Sequence, residues 1–403
     1  MQTALAEFIK DTPVGREADS ILRKCVHCGF CTATCPTYQL LGDELDGPRG
    51  RIYLMKQMLE GHTVSSATQL HLDRCLSCRS CETTCPSGVE YGRLLDLSRE
   101  MMESRVPRPA SNKLMRTALR WIIPYRGRFG TLLRLGQWVK PLLPQGLKRS
   151  IPARQVAGPV AETQHERRVL LLDGCVQPSI APNINAATTR VLDKLGISGL
   201  TAPDAGCCGA VSHHLSAPEQ ARGFMRRNIN AWWPYVEQGV EAIVMTASGC
   251  GSVVKDYGYL LRDDARCADK ARRIAEMTCD LSEIVAREDC SKLVQSRRPF
   301  NKVAFQSPCT LQHGQKIAGV VEKILTETGY ELTPVVDPHL CCGSAGTYSI
   351  LQPELSQQLL GNKLTSLQSG SPEAVVTANI GCLSHLATEA RVPVRHWVEL
   401  LAD

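Results

Sequence analysis

The spacing of apolar residues divides the chain into stretches of different period. In DELDGPRGRIYLMKQMLEG (43–61), Leu45, Ile52, Met55 and Leu59 fall on one helical face, and Gly61 supplies a stop. GRLLDLSREMMES (92–104) reads as another helix. Beyond residue 166 short unbroken apolar runs take over: RVLLL, AIVM, KVAF and AVV. They alternate with amphipathic stretches of helical period, which predicts α/β units with parallel strands.

The second pattern occurs twice. RVLLLDGC leads to Cys175 and then GCCGA (206–210); KVAFQSPC leads to Cys309 and then LCCGS (340–344). Cys175 and Cys207 are 32 positions apart, and so are Cys309 and Cys341. Each half continues to an apolar strand closed by Gly-Cys, AIVMTASGC ending at Cys250 and AVVTANIGC ending at Cys382. The halves then finish on similar helical segments, DLSEIVA and HWVELLA. This is an internal duplication, with its cysteines expected at strand ends or in turns, where loops carry chemistry.

Between the two patterns lies a connector, about 104–165. Its residues 104–161 contain no acid but twelve bases: Arg105, Arg108, Lys113, Arg116, Arg120, Arg126, Arg128, Arg134, Lys140, Lys148, Arg149 and Arg154. Leu114, Leu119, Trp121, Ile122, Ile123, Leu132, Leu133, Leu135, Trp138 and Val139 interleave with them, and Pro124, Pro141 and Pro144 cut the segment into short amphipathic pieces. Four units follow: 1–103, the connector 104–165, a first repeat 166–295 and a second repeat 296–403. The fold class is α+β, a mostly helical first domain and then a duplicated α/β cysteine-rich domain.

Composition narrows the function. Hydrophobic residues are 43% of the 403 and charged residues 21%, enough for sizeable cores and too little charge for disorder. Aromatics at 5% argue against a base-stacking platform, so no nucleic acid is expected. The formal net charge of +6 is carried by the connector; the remainder is acidic. No secretory leader is legible at the start, and no apolar run approaches the roughly 18 residues of a membrane span. The outlier is cysteine, at 19, an odd number that excludes complete internal disulfide pairing and points to metal.

Eight of these cysteines form two runs, Cys25-x2-Cys28-x2-Cys31-x3-Cys35-Pro36 and Cys75-x2-Cys78-x2-Cys81-x3-Cys85-Pro86. Three thiolates at this spacing wrap one iron–sulfur cube, and the fourth, followed by proline, ligates the other cluster. Cys25, Cys28, Cys31 and Cys85 are therefore expected to hold one 4Fe-4S cluster, and Cys75, Cys78, Cys81 and Cys35 the second. Zinc sites use paired C-x2-C without a third cysteine in step. Full thiolate ligation leaves no open iron, so the pair serves electron transfer. Cys267, Cys279 and Cys290 match no spacing and read as free thiols. His213, His214, His313 and His385 lie near the CCG or Gly-Cys turns, as proton relays, cluster hydrogen-bond donors or plain turn residues. Gly47-Pro48-Arg49-Gly50-Arg51 is no phosphate loop; its glycines are expected to permit close packing. No dinucleotide fingerprint and no catalytic triad or carboxylate pair is legible.

The first domain resembles the helical ferredoxin domain of succinate-dehydrogenase-type iron–sulfur subunits. The duplicated half resembles the CCG domain of heterodisulfide reductases, whose full motif has five cysteines per half and can hold an unusual cluster. Here Ala247 and Asn379 stand where the first cysteine of the final pair is expected. Four thiols per half remain, Cys175, Cys207, Cys208, Cys250 and Cys309, Cys341, Cys342, Cys382, enough in number for a further cluster and equally compatible with redox thiols or packed turns. CVHCGFCTATCPTYQLLGDELDGPRGRIYLM, HLDRCLSCRSCETTCPSGV, AGCCGAV, TASGCG, HLCCGSAGTY, VTANIGC and VRHW together resemble the bacterial glycolate oxidase (glycolate dehydrogenase) iron–sulfur subunits over nearly the whole length. The resemblance implies an electron-transfer subunit, unable to oxidise glycolate alone. Glycolate is oxidised to glyoxylate on FAD in partner subunits, and electrons go on to a quinone or another respiratory acceptor. It implies a place on the cytoplasmic side of the inner membrane, with the basic connector as peripheral contact to anionic lipid or to an acidic partner. Alternatives are the equivalent subunit of a lactate or glycerol-3-phosphate dehydrogenase, and a heterodisulfide-reductase-like thiol–disulfide enzyme.

Overall fold

The computed structural model describes residues 1–402, without the side chains of Gln145 and Leu147; residue 403, the end of the second repeat, lies outside the described residues. In the first domain, helices Pro13–Lys24, Pro48–Leu59, Ser66–Asp73 and Tyr91–Arg105 bury Leu22, Met55, Met58, Leu72, Leu94 and Leu95 in a core of their own. The helix expected from residue 43 starts only at Pro48. Proline has no N–H to lose at a helix start and excludes its predecessor from helical φ/ψ. Glu44–Asp46 instead forms a separate 3₁₀ turn, and Leu45 leaves the buried face that Ile52, Met55 and Leu59 share. Gly50 is required there: a Cβ would lie 2.1 Å from the Glu44 carbonyl oxygen. Close packing is what that glycine permits.

Each repeat is a four-stranded parallel sheet. In the first, β1 (Arg167–Leu171), β2 (Ile197–Thr201), β3 (Ile243–Met245) and β4 (Thr278–Asp280) run in the order β2-β1-β3-β4. In the second, β5 (Lys302–Gln306), β6 (Glu331–Leu332), β7 (Ala374–Thr377) and β8 (Val394–His396) run β6-β5-β7-β8, the same topology. Side chains alternate across β1: Val169 and Leu171 enter a core continuous with the second repeat, while Leu170 joins Met225, Ile229 and Trp232 on the other face. Both faces are covered, so these strands read as unbroken apolar runs. The closing segment of the second repeat, Trp397–Leu400, is a 3₁₀ turn, whereas Leu281–Val285 in the first is α-helical.

The connector forms helices Ala110–Ile122, Arg126–Val139 and Gln145–Ser150, with Pro124 at the first break. Arg108 pairs with Asp73 and Glu103, and Arg116 with Asp73, which ties its start to the first domain. Among the described residues no helix is long and apolar enough to cross a membrane.

Candidate metal centres

The two cysteine runs fold alike. His27 and Gly29 have φ of 56° and 87°, and Ser77 and Arg79, at the same offsets, have φ of 54° and 58°. Left-handed backbone at a non-glycine residue costs about 1–2 kcal/mol, and its recurrence at three such positions marks a turn built for a purpose. The turns lead into matching short helices, Phe30–Ala33 and Ser80–Thr84. These meet at equivalent threonines, with Thr34 and Thr84 hydroxyls 3.1 Å apart. This pseudo-twofold carries each run's last cysteine toward the other run.

One cavity is accordingly lined by Cys25, Cys28, Cys31 and Cys85, with Cys81 also on its wall, and a second by Cys35, Cys75, Cys78 and Cys81. Burial, then the Cys25, Cys28 and Cys85 thiols, pushes Cys31 up to about 11. Burial, then Cys309, Cys35 and Cys75, pushes Cys78 up; burial, then Cys78, Cys75 and Cys35, does the same to Cys81. Thiols so crowded ionise only against a strongly cationic centre, and a multi-iron cluster is such a centre. His27 Nε2, on the wall of the first cavity, is buried without a partner, a hydrogen bond left for a group in that cavity. The thiol donors and the unpartnered His27 Nε2 both fit thiolate-bound iron–sulfur clusters.

An ion cluster centred on the buried Asp46 and Arg51 backs the second cavity. Asp46 Oδ1 lies 3.3 Å from Arg51 Nη2 and 3.1 Å from His71 Nδ1, and its Oδ2 lies 2.8 Å from Arg74 Nη1. Arg51 also donates to the His71 carbonyl at 2.7 Å and to Thr37 Oγ1 at 3.0 Å. Burial opposes the Arg51 cation, but Cys75, Tyr91, Cys35 and Asp46 together hold its pKa above the usual arginine value. This network was missed in the sequence; its one signal was two arginines in a short Gly-Pro-Arg-Gly-Arg segment next to a metal run.

The repeats gather their thiols as well. Cys309 and Cys341 Sγ atoms are 4.0 Å apart. Cys341 accepts from the Gly343 N–H at 3.4 Å, as Cys207 accepts from Gly209 at 3.4 Å. Cys175, Cys207, Cys208 and Cys250 adjoin one another in the first repeat, and Cys341, Cys342 and Cys382 in the second. Cys250 and Cys382 sit in the first turns of helices Ser248–Lys255 and Ile380–Leu386 rather than in loops, because a strand feeding a helix puts its Gly-Cys there. The first repeat differs electrostatically. Hydrogen bonds from Cys175 and Cys208, then the Gly209 N–H and the Arg227 charge, hold Cys207 well below the usual thiol value against burial. Arg227 Nε and Nη2 are buried without a hydrogen-bond partner. Of the two positions lacking a cysteine, Ala247 is buried, and Asn379 reaches across to the first repeat: its Nδ2 lies 3.5 Å from Cys382 Sγ while its Oδ1 accepts from the Gly249 N–H at 3.3 Å.

The domains are joined at their sulfur sites. Cys78 and Cys309 pack on one small core with Leu76, Cys341 and Tyr348, and the Tyr348 hydroxyl donates to the Arg74 carbonyl at 3.0 Å. Three histidines hold this junction or its surroundings: His213 Nε2 is 3.2 Å from Asp96 Oδ2, His313 Nδ1 is 2.9 Å from Thr83 Oγ1, and His385 Nε2 is 3.1 Å from Ser356 Oγ. His214 lies beside His213, with ring centroids 5.4 Å apart. Cys267, Cys279 and Cys290 lie apart from these thiol groups, on the helix start at Ala268, on β4 and in the turn Cys290–Leu293.

Comparison with known proteins agrees with this organisation. Residues 21–89 match the 4Fe-4S dicluster domain family, and 169–255 and 303–387 match the cysteine-rich CCG family. The chain is 56% identical to the glycolate oxidase iron-sulfur subunit of Escherichia coli, over 100% of this chain and 98% of that protein. It is 28% identical to the probable glycolate oxidase iron-sulfur subunit of Bacillus subtilis, over 90% and 87% of the two chains. It is 26% identical to lactate utilization protein A of Bacillus licheniformis, over 54% of this chain and 90% of that one.

Proposed function

The chain belongs to the family of glycolate oxidase iron–sulfur subunits, and on that premise we propose that it relays electrons from a glycolate-oxidising flavin partner to a quinone or another respiratory acceptor. One observation carries this reading: eight thiols in two adjoining sets of four, the inner set packed against the thiols of the second repeat. Two 4Fe-4S clusters, held by Cys25, Cys28, Cys31, Cys85 and by Cys75, Cys78, Cys81, Cys35, supply one-electron chemistry when bound. The chain's own residues exclude water around the inner set, balance its charge with Arg51, and clamp it to the repeats. A full-length relative at 56% identity favours glycolate over lactate, whose relative matches about half of this chain at 26%. The CCG thiols are held ready for a further cluster or for thiol redox.

Iron and acid-labile sulfide on anaerobically purified protein test the reading. About eight irons per chain are expected for two clusters, and about twelve if a repeat holds a third. Stoichiometric zinc, or about four irons, refutes a two-cluster relay.

The connector supports peripheral attachment to the inner membrane. Arg108, Arg116, Arg126 and Arg149 are taken up by acids of this chain, yet Leu114, Trp121, Leu135, Trp138 and Leu142 are exposed beside the remaining bases. Bases near anionic lipid contribute roughly 1 kcal/mol each, and the apolar side chains add to this by entering the interface. Wild type is expected to co-sediment with anionic liposomes, more weakly at high salt, and a Leu135→Glu/Trp138→Glu variant to stay in the supernatant. Equal sedimentation of the two removes this segment as the anchor.

A further inference from the structure

Among the described residues, Cys28 is the one exposed cysteine. Of the other thiols of its cavity, Cys25 is buried and Cys31 and Cys85 are half-buried, and left-handed backbone at His27 and Gly29 flanks Cys28 on either side. Val26 is 69% exposed and Phe30 61%, although both are apolar. Tyr53, one helical turn beyond Arg49, is 47% exposed, and Arg49 closes over Gly29, with Nη1 3.0 Å from where a Cβ would stand. The charges around this patch are already matched: Arg49 with Glu44 at 2.6 Å and Lys24 with Glu90 at 2.7 Å. An apolar centre with a neutral, paired rim is the anatomy of a protein–protein interface. It is unlike the acid-free basic connector, which suits lipid.

The inner thiol set offers no comparable face, because Cys78 is covered by the second repeat. Electron exchange falls off steeply with distance, so a macromolecular donor must reach the outer set, and its one exposed thiol lies in this patch. We propose that the Val26–Cys28–Phe30 face docks the flavin-bearing partner, so that electrons enter here. This rests on the relay reading above and adds the point of entry. Two electrons leave the reduced flavin singly across this face, its proton goes to solvent, and the respiratory acceptor takes both electrons.

The test uses the whole tagged chain co-expressed with the flavin subunits of the same oxidase. Wild type, Val26→Glu/Phe30→Glu and a remote control, Ile350→Glu, also on an exposed apolar side chain, are purified anaerobically. Iron content and the EPR spectrum after dithionite report the folded cofactor-loaded chain; flavin recovered with the tag and glycolate-driven appearance of the same signals report docking. The expected result is roughly a 10-fold or greater loss of co-purified flavin and of glycolate-driven reduction in the double variant. Its dithionite spectrum should be unchanged, and the control should behave as wild type. If the glutamates disturb iron content, Val26→Ser/Phe30→Ser is scored in their place. Unchanged flavin recovery and glycolate-driven reduction in the variants, or equal loss in the control, overturns the docking face and leaves the relay standing. Wild type that recovers no flavin overturns the relay, and this face with it.

Discussion

Cys35→Ser and Cys75→Ser will each abolish one and the same EPR signal of the reduced protein, while Cys25→Ser and Cys85→Ser abolish the other. Each variant should lose about four of about eight irons, because a cube deprived of one of its four thiolates is no longer held by the chain. The pairing follows from the pseudo-twofold about Thr34 and Thr84, which carries Cys85 to the wall shared with Cys31 and Cys35 to the wall shared with Cys75. Serine keeps the size of the side chain but is a far poorer ligand for soft iron than thiolate. If Cys35→Ser removes the signal lost in Cys25→Ser and spares the one lost in Cys75→Ser, each run serves its own cluster and the crossed arrangement is wrong.

Asp46→Asn should destabilise the first domain by about 3–5 kcal/mol, the usual cost of leaving a buried charge without its partner. The side chains of Asp46 and Arg51 are 0% and 1% exposed, so water cannot replace the lost carboxylate. The damage spreads to the metal site, since Arg51 lies beside Cys35 and Cys75 and donates at 3.0 Å to Thr37 Oγ1, itself 3.3 Å from Cys35 Sγ. Anaerobic thermal bleaching of the cluster absorbance should move down by roughly 10 °C or more. Glu44→Gln is the control, because its 2.6 Å bridge to Arg49 joins half-exposed groups and is worth about 0–1 kcal/mol. A melting point for Asp46→Asn close to that of Glu44→Gln would show that the network carries no such energy.

Much of the architecture was legible along the chain. Unbroken apolar runs separated by helical periods were enough for the two parallel sheets, and the repeated 32-residue interval between Cys175 and Cys207 and between Cys309 and Cys341 exposed the duplication. The start of the helix at Pro48 was misplaced because apolar spacing alone counted Leu45, while the ring of Pro48 set the boundary. The Gly-Cys pairs at Cys250 and Cys382 looked like loop chemistry and proved to be first turns of helices.

What the sequence determined by itself is local: the two cysteine runs and their spacing, the strands, and the basic connector. These depend on covalent spacing and on the period of one element, which a short window contains. What only the tertiary structure decided involves partners far apart in the chain. Asp46 with Arg74 comes together through packing within the first domain, and Cys78 against Cys309, Asp96 with His213 and Gly249 with Asn379 through packing between domains or repeats; no spacing rule encodes them. Exposure is of the same kind. Eight cysteines that look equivalent in the sequence differ in exposure: Cys28 is exposed, Cys31, Cys75, Cys78 and Cys85 are half-buried, and Cys25, Cys35 and Cys81 are buried. Which thiol is covered depends on where the second repeat lands.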